Sequence, residues 1–351
     1  MTAERPSRRK VIKVAGAGAR APTSAGASGG TATASGGAPG GRAPGGRDLV
    51  TREIPGTGER VPAVGLGTFM TFDKLPHAPR GHIKEVMSRF WEGGGRVVDT
   101  SALYGTSEAN VGEFARELGI TDRLFLTDKS WACGEFFNDD SHAVRQFEQS
   151  LRRLRRSRLD AVQVHSLTNA PMILPILRRL KREGRIRYLG VTHHEIPEQA
   201  PAVERWIRTG DLDVVQVRYS IFMREAERRI LPAAADHGTA VMVNMPLEKA
   251  RLHAVVGDRG VPGFAREFGC ETWAQFFLKY VISHPGVTCV LPATTNPAHA
   301  EENVAAMRGP LPDRAARRRM VRYMESIPGF SGIDSAPWYP GKVFKDGLVE
   351  L

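Results

Sequence analysis

Cysteine is scarce in this 351-residue chain. Only Cys133, Cys270 and Cys289 occur, too few for a disulfide framework and none in the C-x-x-C spacing of a zinc or dithiol site. Long apolar runs are also missing. No stretch approaches the roughly 18 uninterrupted apolar residues of a transmembrane helix. The net charge of +11 is not matched by basic-aromatic interleaving or a recognition-helix motif, so it does not read as a nucleic-acid surface. What remains is an ordinary globular composition, 41% hydrophobic and 25% charged. A chain of 351 residues is long enough for two average domains or one large α/β barrel.

The charge is concentrated at the start. Residues 1–50 hold eight basic and two acidic residues, +6 of the total, and the other 301 residues carry +5. Residues 14–46 are almost entirely Ala, Gly, Ser, Thr and Pro, a composition that cannot bury enough apolar area to offset its ordering entropy. Residues 1–48 are therefore expected to be a disordered leader. Within it, Ser7-Arg8-Arg9-Lys10-Val11-Ile12-Lys13 precedes a weakly hydrophobic run, and Ala25-Gly26-Ala27 suits a cleavage site. This resembles a twin-arginine export signal and implies export to the periplasm by that machinery. Arg20 interrupts the apolar stretch, and a basic leader on a cytoplasmic protein is the alternative.

From residue 61 short, β-branched apolar runs alternate with amphipathic stretches. The expected strands are Val61–Gly67, Arg96–Ser101, Leu124–Ser130, Asp160–Ser166, Arg187–His193, Asp213–Ser220, Thr239–Pro246 and Thr288–Ala293. Helical stretches such as Ala143–Arg155 lie between them. There Val144, Phe147, Leu151 and Leu154 form one apolar stripe, with the arginines largely off it. Eight strands alternating with eight helices fit a single-domain α/β fold of the (β/α)8 TIM-barrel type over residues 49–327, followed by a C-terminal tail over 328–351. A doubly wound open sheet would alternate too, but its glycine fingerprint after the first strand is missing: Gly93-Gly94-Gly95 follows a helix.

In such barrels chemistry collects at the C-terminal strand ends. Asp99, Lys129 and His165 end successive strands, with Tyr104 just beyond the first of them. Buried charges are costly unless paired, so these residues suggest a mutually satisfied cluster. The pattern resembles the aldo-keto reductases. Val64-Gly65-Leu66-Gly67-Thr68 looks like that family's first strand, and Val98-Asp99-Thr100-Ser101-x-x-Tyr104-Gly105 supplies its Asp and Tyr. Lys129 supplies its Lys, and Val162-Gln163-Val164-His165 its His. The resemblance covers about 60–310 and implies reduction of an aldehyde or ketone by hydride from NAD(P)H. The chemistry needs a proton on oxygen as well as a hydride on carbon. Tyr104 would donate the proton, Lys129 would favour its phenolate, Asp99 would position Lys129, and His165 would orient the carbonyl oxygen.

The resemblance also implies a cofactor site. Thr68, Thr192, His193, Gln216 and Asn244 match positions around the nicotinamide, with His193 and Asn244 replacing the usual amide and aromatic residues. Leu247, Lys249 and Arg251 match the pyrophosphate loop, where Lys249 and Arg251 could pair the diphosphate or be exposed loop charges. Thr294, Thr295, Asn296, His299, Glu302 and Asn303 match the adenosine-phosphate loop. Ala293 and His299 stand where basic residues usually meet the 2′-phosphate, so the reading favours NADPH while leaving NADH open.

No metal is expected. His193-His194 is a conceivable metal pair, but adjacent strand residues face opposite ways. Phe69, Trp131, Phe222 and Trp338 are the candidate substrate contacts, suiting a hydrophobic carbonyl. Cys133, near the mouth, is a candidate redox thiol or a bystander. Two rivals differ in class: a cofactor-binding sensor or accessory subunit on the same barrel, and a lyase or isomerase using Lys129 as a Schiff-base amine.

Overall fold

The computed structural model describes residues 49–132, 140–340, 343–345 and 348–350. The proposed leader and Cys133 lie outside them. Eight parallel strands form one sheet in sequence order: β1 (Leu66–Gly67), β2 (Val97–Asp99), β3 (Phe125–Ser130), β4 (Leu159–Val164), β5 (Ile186–His193), β6 (Val214–Arg218), β7 (Ala240–Asn244) and β8 (Cys289–Val290). Parallel bridges Val64–Val290 and Gly67–Ala293 join the first strand to the last, so the sheet closes on itself. Helices α1 (Gly81–Glu92), α2 (Ser107–Glu117), α3 (Ser141–Leu154), α4 (Ala170–Arg182), α5 (Ala200–Ile207) and α6 (Ile230–Asp236) fill the early crossovers. After them come α7 (Arg251–Val256), α8 (Trp273–Ile282), α9 (Pro297–Ala305) and α10 (Arg314–Glu325). This is the (β/α)8 barrel.

The helices form where the apolar stripe meets the barrel wall. On α3, Phe147, Leu151 and Leu154 are buried, and Arg155 closes the helix in a left-handed conformation. Gly119, Gly184 and Gly238 take the same conformation just beyond α2, α4 and α6, where a side chain would be strained. No helix among the described residues is long and apolar enough to cross a membrane.

Strand parity builds the interior in layers. The lowest inward positions, Val97, Phe125, Ala161, Tyr188, Val214 and Ala240, join Met242, Cys289 and Leu291 in one apolar cluster inside the barrel. Two residues further along the strands the inward side chains turn polar: Asp99, Thr127, Gln163 and Gln216. The core therefore grades from apolar floor to polar mouth, which is what a site at the C-terminal ends requires.

The first expected strand is corrected. Val64 and Leu66–Gly67 pair within the barrel, while Arg60–Pro62 pairs antiparallel with Thr51–Glu53. Ile54 and Val61 from this hairpin complete the apolar floor cluster. The run was apolar throughout because one half caps the barrel and the other half lines it. Glu59, at the hairpin, receives bonds from Arg187 and from the Tyr188 hydroxyl, both at 2.5 Å.

Strands β5 and β6 approach closely at Gly190, where a Cβ would fall 1.9 Å from the Val214 carbonyl oxygen. A backbone oxygen in a barrel wall cannot move aside. Gly190→Ala is expected to cost about 3 kcal/mol, the upper part of the overpacking range, or to prevent folding, and urea denaturation followed by circular dichroism checks it.

Candidate active site

Lys129, at the end of β3, is fully buried and bonded twice. Its Nζ lies 2.7 Å from Asp99 Oδ2 on β2 and 2.8 Å from the Thr100 carbonyl oxygen. The other Asp99 oxygen accepts from Gln216 Nε2 at 2.8 Å, and Gln216 Oε1 accepts from the Thr192 hydroxyl at 3.2 Å. One polar chain thus crosses the barrel mouth from β5 to β3. It satisfies the ammonium, without which burying that charge would cost several kcal/mol. Asp128, the residue before Lys129, lies on the other face of the strand. Burial and nearby Glu108 hold its carboxyl well above the usual range.

Tyr104 follows β2 on the loop into α2. Its ring meets Phe69 edge-on at 5.0 Å and His165 at 5.8 Å, and Lys129 Nζ lies 4.9 Å from its centroid. The ammonium pulls the phenol down as expected. Burial pushes it up by more, so the net direction in the ligand-free protein is upward.

His165 ends β4 on a turn where Ser166 and Leu167 both have positive φ. Its Nδ1 stands 3.2 Å from Ser101 Oγ. Burial first, then Lys129 and the two histidines 193 and 194, lower its pKa to about 3. The ring is therefore neutral at physiological pH and meets an incoming oxygen as an uncharged hydrogen-bonding group.

These residues open into a cavity of about 1040 Å³. Asp99, Tyr104, Lys129 and His165 line it, as do Thr68, Thr192, Gln216, Asn244, Leu247, Lys249, Thr294, Thr295, His299, Glu302 and Asn303 from the cofactor expectation. Phe69, Trp131 and Trp338 line its mouth.

Four expected residues stand elsewhere. His193 is turned off the wall and accepts at Nδ1 from the Glu195 amide at 3.0 Å. Its place is taken by His194, which strand parity from Thr192 would have indicated. The strand ends at His193, so the two imidazoles stack at 5.7 Å instead of pointing apart. Arg251 is buried, its guanidinium committed to Glu248 at 2.8 Å and to the Ile333 carbonyl at 2.9 Å. Asn296 caps α9, its Oδ1 accepting from the Ala298 amide. Phe222 packs edge-on against Phe330 at 5.5 Å. The sequence reading also missed Tyr339, next to Trp338 on the wall.

Three wall residues carry buried side-chain oxygens with no partner among the described residues: Thr71 Oγ1, Asn244 Oδ1 and Asn303 Oδ1. Thr71 follows β1, Asn244 ends β7 and Asn303 lies on α9. Orphaned buried polar groups need a ligand or water to satisfy them, and three of them on the wall of one large cavity suit a polar ligand such as a dinucleotide. Among the described residues no group of three or more His, Cys, Asp or Glu stands together as a metal site.

The model of the aldo/keto reductase family matches residues 63–319. The chain belongs to the aldo/keto reductase family. It is 28% identical over 209 residues to the NADH-specific methylglyoxal reductase of Escherichia coli K12, a match covering 50% of this chain and 63% of that protein. It is also 28% identical over 195 residues to aldo-keto reductase YhdN of Bacillus subtilis 168, covering 52% of this chain and 58% of the relative. The chain thus spans less than two thirds of each curated relative. Among solved structures, an aldo/keto reductase of Klebsiella pneumoniae in complex with NADP and acetate superposes with a TM-score of 0.62 at 28% identity, over 77% of this chain and 94% of that one. A second structure from the same organism, in complex with NADPH, gives 0.64 at 28% identity, over 79% and 95%. The family match begins at the first barrel strand and ends within α10, so the C-terminal segment that supplies Trp338 and Tyr339 lies beyond it.

His165 generates a prediction. Its folded pKa, about 3, lies below the unfolded value near 6.5. The unfolded chain then binds the extra proton between those values, so stability falls as the pH drops through that window and is recovered above it. Nitrogen-15 NMR of the histidines is expected to show His165 neutral at pH 5, and a ring titrating near 6.5 would contradict the assignment.

Proposed function

We propose that this protein reduces aldehydes or ketones to alcohols, with Tyr104 as proton donor and Asp99, Lys129 and His165 as its supporting residues. The observation that carries the proposal is the closed chain Thr192–Gln216–Asp99–Lys129 ending beneath the Tyr104 ring. A bound reduced nicotinamide would supply the hydride. The protein's own task is to hold the carbonyl and deliver the proton.

His165, neutral and fixed near Ser101, can bond the carbonyl oxygen while Tyr104 approaches it from the adjacent loop. As negative charge develops on that oxygen, the Tyr104 proton moves to it and the phenolate is left beside the Lys129 ammonium. Lys129 cannot follow the proton, because Asp99 and the Thr100 carbonyl hold it. This arrangement favours the phenolate at the moment it forms and not before, since burial keeps the resting phenol protonated.

The residues fit a dinucleotide in this way. Thr192, Gln216 and Asn244 would hold its amide end, Leu247 its diphosphate, and Thr294, Thr295, His299, Glu302 and Asn303 its adenosine end. NADPH is the proposed donor of choice. Thr294 and Thr295 offer neutral hydrogen bonds to a 2′-phosphate, and no Lys or Arg lines that end of the cavity among the described residues. The expected preference over NADH is accordingly modest, about tenfold, or roughly 1.4 kcal/mol.

The test is fluorescence titration of the full chain with both nucleotides, followed by nucleotide consumption on a panel of aromatic and aliphatic aldehydes and ketones. Tyr104→Phe is expected to lower kcat at least about 100-fold, within the range for a positioned general acid, while nucleotide affinity stays within about twofold. Tight nucleotide binding with no turnover on any carbonyl would instead indicate a sensor.

The leader carries a separate proposal, export in folded form by the twin-arginine route. A compartment without a nicotinamide pool would then require the nucleotide to travel bound. Fractionation with N-terminal sequencing is expected to find the periplasmic chain shortened past residue 27, and an intact leader in the cytoplasm would sink the idea.

A further inference from the structure

Lys249 stands on the cavity wall in a setting that a diphosphate contact does not explain. Its ammonium lies 3.1 Å above the Trp338 ring, 5.4 Å from the Tyr339 ring and 5.7 Å from the Phe69 ring. Phe69 in turn touches the Tyr104 ring at 5.0 Å. One aromatic ring therefore separates this cation from the proton donor, and the rings around it are those of the cavity mouth.

The cation has no counter-charge among the described residues. It forms no ion pair among the described residues, and the carboxylate next to it in sequence is taken. Glu248 is buried and bound by Arg218, by Arg251 at 2.8 Å and by the Ser220 hydroxyl at 2.7 Å. The charged and titratable groups facing Lys249 are thus Arg218, Arg251 and His194, with Glu248 behind them. Burial, then Arg251 and Arg218, lowers its pKa to about 7. A buried, uncompensated ammonium is costly and gains most from an anion brought to it.

The position is also built. Met245, Glu248, Lys249 and Ala250 all take positive φ, a conformation that non-glycine residues adopt only when their surroundings impose it. Glu248 is held in this loop by its ion pairs to Arg218 and Arg251, and the Tyr339 amide donates to the Lys249 carbonyl at 3.2 Å. The loop is shaped so that its lysine enters the aromatic box.

Resting on the carbonyl-reductase reading above, we infer that Lys249 forms an anion subsite for the substrate. It selects carbonyl compounds that carry a carboxylate at the far end of a flat, apolar middle. The carbonyl lies at Tyr104 and His165, the apolar middle runs along Phe69 and Trp338, and the carboxylate meets Lys249. The other source of the same charge is the cofactor's diphosphate, and the experiment separates the two.

Turnover of 4-carboxybenzaldehyde and of its methyl ester is compared in the full-length wild type, Lys249→Met and Lys249→Gln. Calorimetry measures 4-methylbenzoate binding, and fluorescence measures NADPH binding, in the same three proteins. The acid-to-ester ratio of kcat/KM is expected to fall at least tenfold in both variants. Binding of 4-methylbenzoate is expected to be lost, while NADPH affinity changes less than threefold. An unchanged ratio with unchanged 4-methylbenzoate binding would overturn the inference. So would a tenfold loss of NADPH affinity with 4-methylbenzoate binding retained, which would give the lysine to the diphosphate. If neither aldehyde is turned over but wild type binds 4-methylbenzoate and the variants do not, the reductase reading fails and the anion subsite stands.

Discussion

Everything at the mouth of this barrel depends on one buried ion pair. Lys129 carries a full charge into a place where water does not reach it, and Asp99 answers it at 2.7 Å. Neither residue can be removed alone without stranding the other. The pair also dictates its neighbours. The second oxygen of Asp99 needs a donor, which is why β6 carries Gln216 at that height, and the amide oxygen of Gln216 needs one in turn, which Thr192 provides. A sheet of eight strands must then be in correct register for four of them to meet in one hydrogen-bonded chain. The hairpin holding Ile54 and Val61 makes the opposite contribution. It keeps water out of the floor, and so lets the polar layer lie at one end only.

The same burial explains why Tyr104 is not pre-ionised. A lysine beside a phenol in water would simply lower its pKa. Here the low-dielectric surroundings that strengthen the Lys129 attraction also penalise the bare phenolate, and the second effect wins in the ligand-free protein. The attraction is therefore held in reserve until negative charge has somewhere to go. His165 feels the same two influences: burial first and the Lys129 ammonium second both disfavour an imidazolium, so here they act together where at Tyr104 they oppose.

Much of this was legible in the sequence, for identifiable reasons. Strand periodicity and turn residues located eight strands because parallel strands are apolar on both faces. Asp99, Tyr104, Lys129 and His165 stood out because charged and titratable residues at apolar strand ends demand partners. What was illegible depended on contacts between distant segments. The run Val61–Gly67 reads as one strand, and only the pairing of Arg60–Pro62 with Thr51–Glu53 divides it. Arg251 reads as a loop cation, and only the fold brings Ile333 to its guanidinium. His193 and His194 differ by one residue at a strand end, where the alternation of faces stops being a reliable guide. Asn296 looks like a phosphate donor and is instead a helix cap, a role its position two residues before Ala298 is equally suited to.

Arg251 and Lys249 show how two cations of one loop come to do opposite things. Arg251 is drawn inward by Glu248, and together with Arg218 it ties the loop to the C-terminal segment through Asp334 and the Ile333 carbonyl. That cluster contains two arginines and two acids, so it is balanced and stops there. Lys249 is what the balance leaves over. Its backbone is fixed by the cluster, its side chain is excluded from it by two like charges, and the surroundings left to it are the faces of Trp338, Tyr339 and Phe69. Aromatic faces stabilise a cation without neutralising it. A charge presented in that way, one ring away from Tyr104 and without an acid of its own among the described residues, remains available to whatever anion enters the cavity. Of the three rings, Trp338 and Tyr339 come from the C-terminal segment beyond the residues matched by the family model, and Phe69 from within them.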